Sequence, residues 1–197
     1  MARPRAVDYD DKRNAILSAS ARAFADTGFD GASMSQIALA CGVSKALLYH
    51  YYTNKEQLLF DVIEAHLEEL VAAVREVDAG PDPEDRLVRL CTVILEAYRD
   101  ADAEHKVQIN NLSRLPADKQ DILKRMERDL VDVFAEALAE ANPDLGANPR
   151  LLKPVTMSLF GMLNWHYLWF RPSGPVSRED YAAIAARIVV AGSRALD

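Results

Sequence analysis

Four histidines, two cysteines and thirty acidic residues are this chain's raw material for chemistry, and their spacing assembles no reaction centre. His50, His66, His105 and His166 stand far apart, and no H-E-x-x-H run, G-x-S-x-G elbow or phosphate-cradling glycine loop occurs. His66 and His105 read as surface or hydrogen-bonded residues. Cys41 and Cys91 lie in apolar patterns without paired spacing or a histidine neighbour, so they read as reduced packing residues. The expectation is a binding protein, not an enzyme, with no cofactor and no metal. One stretch does concentrate binding chemistry: SMSQIALACGVSKALLYHYYTNKEQLL, residues 33–59. Its Ser33, Ser35, Gln36, Ser44, Lys45, Ala46, Leu47, Tyr49 and His50 are short polar, basic or aromatic types suited to phosphate and base-edge contacts, with few acids among them.

The elements that must hold these residues are helical. Apolar residues recur three and four apart along most of the chain, and no alternation of period two lasts long enough for a strand. A first helix is expected from about Asp10 to Thr27, stopped by Gly28. Ser33 or Ser35 caps a second, which ends at Gly42, and Ser44 caps a third over Lys45–Tyr51. Within this trio Ile37, Ala38, Val43, Leu48 and Tyr51 or Tyr52 pack inward. Asn54 and Gln57 have capping-box spacing at the head of a fourth helix reaching about Val77, with Leu59, Ile63, Leu67, Leu70 and Val74 on its apolar stripe. Beyond the breaker at residues 78–83, helices are expected at 84–101, 105–112 and 116–141, then a loop to Pro149. A strongly apolar helix follows over 152–170, starting properly at Pro154, and a last one from the Ser177/Asp180 cap to about Leu196. The fold class is thus all-α with about nine helices.

A chain of 197 residues, 50% hydrophobic and 27% charged, can bury a substantial core in one large or two small domains. Charged residues interrupt every apolar run before the roughly 20 needed to cross a bilayer. With no secretory leader read, a cytoplasmic location is expected. The net charge of −7 is unevenly spread: residues 1–56 carry +1 and residues 57–197 carry −8. A near-neutral head with local basic spots can grip phosphates, and the acidic remainder must face away from them.

Two short helices joined by a glycine turn behind a longer supporting helix form the layout of a helix-turn-helix. The stretch resembles the N-terminal domain of the TetR family of transcriptional regulators through Ser33, Ile37-Ala38, Gly42-Val43-Ser44, Leu48-Tyr49-His50-Tyr51-Tyr52 and Lys55. Ala46 and Tyr52 stand where Gly and Phe are frequent. The resemblance implies a DNA-binding domain at 1–56 and a ligand-binding and dimerisation domain at 57–197. By position, Ser33, Tyr49, His50 and Lys55 would hold phosphates of double-stranded operator DNA, while Lys45, Ala46 and Leu47, behind the Ser44 cap, would meet base edges. The arm Arg3-Pro4-Arg5 would add backbone or minor-groove contacts.

In the second part the richest segment is MSLFGMLNWHYLWF, residues 157–170, apolar nearly all round and so expected to be buried on several sides. Met162, Trp165, His166 and Trp169 are candidates for a ligand pocket, and the two tryptophans serve equally as core. The family resemblance implies a homodimer built on the last two helices, where Ser158, Gly161, Ala183, Ala186, Val190 and Gly192 permit close approach. The segments from Asn110 to Phe134 and from Leu159 to Ser177 are similar to the acyl-CoA-responsive subgroup that controls fatty-acid, phenylacetate or steroid degradation. A CoA thioester needs an apolar slot and cations, and Arg114 and Arg171 are assigned to it, with Lys124, Arg125 and Arg128 also at hand. The expected function is therefore a repressor released from a palindromic operator by an acyl-CoA. A regulator of another hydrophobic drug or metabolite and a helical protein-binding adaptor are the alternatives.

Overall fold

The computed structural model describes the backbone of residues 4–196 and the side chains of residues 11–196. Arg3 and the side chain of Arg5, expected to form a basic arm, lie outside the described residues. Among the described residues the chain forms ten α-helices and two 3-10 turns, with no strand.

Helix α1 (Pro4–Gly31) starts earlier than its apolar pattern suggested and is broken at Gly28, whose φ of 73° and ψ of 161° leave helical geometry. The conformation suits a residue without a Cβ. Helix α2 (Met34–Ala40) opens on a complete capping box between Ser33 and Gln36. It closes through Gly42 at φ 65°, with Gly42 N–H donating to Leu39 O and Val43 N–H to Ala38 O, the paired bonds of a Schellman turn. Helix α3 (Lys45–Tyr51) follows at once on its Ser44 cap.

Helix α4 (Lys55–Arg75) buries the expected stripe of Leu59, Ile63, Leu67, Leu70 and Val74. Helices α5 (Pro83–Ala97), α6 (Asp102–Asn111) and α7 (Ala117–Ala141) come next, with the 3-10 turn Leu112–Arg114 between the last two. The stretch read as a loop after Ala141 holds a one-turn helix, α8 (Pro143–Gly146), capped by Asn142. Helix α9 (Pro149–Asn164) begins five residues before Pro154, which sits inside it. Pro149 takes the tolerated first-turn place, so the expected start at Pro154 is corrected. A 3-10 turn, His166–Leu168, leads toward α10 (Arg178–Ser193), whose Ser177/Asp180 capping box forms as expected.

The chain divides into two compact units, each assembled from two stretches. The first holds the described residues through Leu67 with Ala101–Lys124, so α6 packs on α1 in the same unit as the helix-turn-helix. The second holds Glu68–Asp100 with the residues from Arg125 onward, and α10 packs there on α5 and α9. In the first unit His66 and His105 are 3% and 2% exposed with ring centres 6.0 Å apart, so neither is a surface residue. Burial, helped by the neighbouring His105, pushes the His66 imidazole down to about 3. Cys91 is buried in the second unit, where burial lifts its thiol to about 12. Cys41 is half-buried in the first unit, and both thiols are free.

Candidate nucleic-acid interface and ligand region

The recognition face is built by local caps. Ser44 Oγ accepts from Leu47 N–H at 3.1 Å and Ser33 Oγ from Gln36 N–H at 3.2 Å, so each hydroxyl fixes a helix start and keeps its own proton to donate. Leu48 and Tyr52 anchor α3 from below at 0% and 2% exposure, and Tyr51 is half-buried against Tyr52. Lys45, Ala46, Tyr49 and His50 are exposed together on the opposite side, while Leu47, expected outward, is half-buried. The Lys45 ammonium lies 5.8 Å from the centre of the Tyr49 ring, a cation above an aromatic one turn away. No acid of α2 or α3 interrupts this face.

Lys55 is placed differently from a free phosphate ligand. Its Nζ donates to Phe29 O at 2.5 Å and to Ala32 O at 3.0 Å, and it sits 4.4 Å from the centre of the Phe29 ring. Phe29 lies in the last turn of α1 and Ala32 just beyond it, so both carbonyls sit at that helix's C-terminal end, where a cation is favourable. One ammonium proton remains to point elsewhere. Lys106 adds a bond to Ala25 O at 2.7 Å, and Arg114 pairs with Asp30 at 3.1 Å. Arg114, expected near a ligand, thus belongs to the first unit and pairs with the segment just ahead of α2. Leu39 on α2, 82% exposed, escaped the sequence reading because it sits in an otherwise packing motif.

The other expected ligand residues fall in the second unit. His166 is 3% exposed and stacks between Phe170 and Tyr181, with ring centres at 4.2 and 5.2 Å, while Trp169 meets it edge-on at 5.3 Å. Burial, with the Arg178 guanidinium nearby, lowers the His166 imidazole to about 4. Its Nε2 makes no hydrogen bond among the described residues. Met162 is half-buried, and Arg171 is exposed. Trp165 and Trp169 are 57% and 48% exposed, so the segment is not buried on every side within one chain. They join Met157, Leu168, Ile184 and Ile188 as large apolar residues open on α9, the turn after it and α10. Ser158, Gly161 and Gly192 are exposed too, whereas Ala186 and Val190 pack inside the chain and Ala183 is half-buried. A cleft of about 200 Å³ between α5 and α10 is lined by Asp82, Glu84, Asp85, Val88, Ala186, Arg187 and Val190, none of them an expected ligand residue.

A capped helix pair with an open cationic and aromatic face, followed by a helical body with an unpaired apolar face, defines a helix-turn-helix regulator. The family description "Bacterial regulatory proteins, tetR family" matches residues 16–62, and "Tetracyclin repressor-like, C-terminal domain" matches residues 80–193. This chain belongs to the TetR family, a family of homodimeric transcriptional regulators rather than enzymes. A TetR-family transcriptional regulator from Bordetella parapertussis shares 33% identity over 94% of this chain and 97% of that one, with a TM-score of 0.85. AibR, solved in complex with isovaleryl coenzyme A and operator DNA, shares 28% over 90% of this chain and 97% of its own, with a TM-score of 0.74. The transcriptional repressor KstR2 of Mycolicibacterium smegmatis is 25% identical over 92% of this chain and 90% of its own length. No helix among the described residues is long and apolar enough to cross a membrane.

Proposed function

We propose that this protein is a cytoplasmic repressor whose dimer holds an inverted-repeat operator through α3 of each copy and releases it on binding an acyl-CoA thioester. The observation that carries the effector class is the likeness to AibR over nine-tenths of the chain, since that regulator was solved with both isovaleryl coenzyme A and operator DNA. Residues 1–56 are assigned to DNA and 57–197 to ligand and dimer.

On the DNA side, Lys45, Ala46 and Leu47 meet base edges, while Ser33, Ser44, Tyr49 and His50 donate to phosphates. Lys55 contributes its remaining proton there after holding the end of α1. For the effector, Met162, Trp165, His166 and Trp169 contact the acyl portion, and His166 Nε2 supplies a polar contact to the thioester carbonyl or its neighbour. Arg171 answers phosphate charge. Arg114, open to solvent beside Asp30, is a second cation for that charge.

The test is fluorescence anisotropy of the purified dimer on a labelled duplex that it selects from random sequence, titrated with isovaleryl-CoA, longer acyl-CoAs and the matching free acids. Release by a thioester and not by its acid supports the proposal. Tight binding unmoved by every thioester overturns the effector class and leaves the DNA reading standing.

A further inference from the structure

We infer that Gln57 and Lys119 are positioning residues for the DNA-reading helix, forming a polar relay by which α7 sets the first turn of α4 and thereby the seat of α3. The inference rests on the regulator reading for its consequence, and its geometry lies wholly in the first compact unit.

The relay has four members on three helices. Lys119 Nζ on α7 donates to Gln57 Oε1 on α4 at 2.6 Å, and Gln57 Nε2 donates to Asp61 Oδ1 one turn further on at 2.7 Å. Asp61 Oδ2 accepts from Arg13 Nη2 of α1 at 3.1 Å. The side chains of Asp61 and Arg13 are 15% and 35% exposed, so the chain is sheltered along most of its length. Lys119 also lies 4.9 Å from the centre of the Phe60 ring, which fixes its ammonium against the same helix.

Local chemistry offered Gln57 an alternative. Asn54 Oδ1 accepts from Gln57 N–H at 2.7 Å, one half of a capping box, and the reciprocal arm would return the Gln57 side chain to the Asn54 backbone. That side chain instead takes partners four and 62 residues away. Only Tyr52, Thr53 and Asn54 separate the end of α3 from the start of α4, so α3 follows whatever orients the first turn of α4. On that turn Lys55 grips the end of α1 and Gln57 grips α7. Helix α7 runs on past Lys124 out of this unit, as does α4 past Leu67. A shift of α7 along or about its axis therefore reaches α3 through the Lys119–Gln57 bond, in parallel with any movement of α4 itself.

The test compares Gln57→Leu, Lys119→Met, the double variant and Lys119→Arg on the duplex selected by the wild-type dimer and on a scrambled duplex. Gln57→Leu removes no charge, so a loss confined to the selected duplex reports geometry. Each single variant is expected to weaken binding to the selected site about tenfold while leaving the scrambled duplex within about twofold, and the double variant to lose no more than either single one. Lys119→Arg is expected to restore most of the loss. Equal weakening on both duplexes would make Lys119 a phosphate contact and overturn the inference. So would unchanged selectivity with a lowered Tm, which leaves the relay only a stabilising role, or losses that add in the double variant. None of these outcomes depends on the effector, so the acyl-CoA proposal stands or falls separately.

Discussion

The ammonium of Lys55 donates to the carbonyl of Phe29 at 2.5 Å while lying over the same residue's ring. A lysine whose place in the motif marks it for phosphate is thereby the clasp between α4 and the broken end of α1. Lys55→Ala leaves two carbonyls without this donor and is expected to cost about 1–3 kcal/mol, lowering Tm by about 2–4 °C per kcal/mol. Thermal melting in the absence of DNA checks it. An unchanged Tm with a shallower salt dependence of DNA binding would return Lys55 to a purely phosphate role.

Gly42 makes the turn between α2 and α3 at φ 65°, and a Cβ added there meets nothing within 4 Å. Any cost of Gly42→Ala is therefore conformational, about 1–2 kcal/mol, and should appear as lowered stability without a cavity or clash. Equilibrium urea unfolding gives the number. A neutral result would mean that the turn relaxes to negative φ at no cost.

Acidification should loosen the first unit through His66. Its imidazole titrates near 3 when folded against an ordinary 6.5, so below about pH 6.5 the unfolded chain takes up the proton first. The contribution of His66 is thus constant above that pH and shrinks as pH falls from about 6.5 toward 3. Wild type should lose more stability than His66→Phe between about pH 7 and pH 5 in urea titrations. Parallel losses in the two proteins would contradict this burial effect.

The apolar face on α9 and α10 predicts how the dimer fails. A Cβ at Gly161 meets nothing within 4 Å in its own chain, so Gly161→Leu should leave the fold intact while raising the dimer dissociation constant at least about tenfold. Sedimentation velocity checks the dissociation, and far-UV circular dichroism checks that the helices are kept. A fully dimeric Gly161→Leu protein would place the interface elsewhere.

What could be read from sequence was local. The serine caps, the Schellman glycine, the break at Gly28 and the stripe on α4 depend on residues a few positions apart, and all of them form. What could not be read was decided at long range. Gln57 has its cap partner three residues away and spends its side chain on α7; Arg114 looked like a spare cation and pairs with Asp30. Pro154 gave a helix start that Pro149 pre-empts. Trp165 and Trp169 lie in a segment whose all-round apolarity hid which side one chain covers, and each stays about half exposed.

The central claim is that the exposed face of α3 reads a DNA sequence, and site selection from random duplexes by the wild-type dimer and by Lys45→Ala tests it most directly. The wild type should enrich an inverted repeat, and the variant should enrich the same repeat with preference lost at one equivalent position in each half-site. Enrichment of no repeat, or an identical consensus from both proteins, would contradict the assignment of α3 as the reading helix.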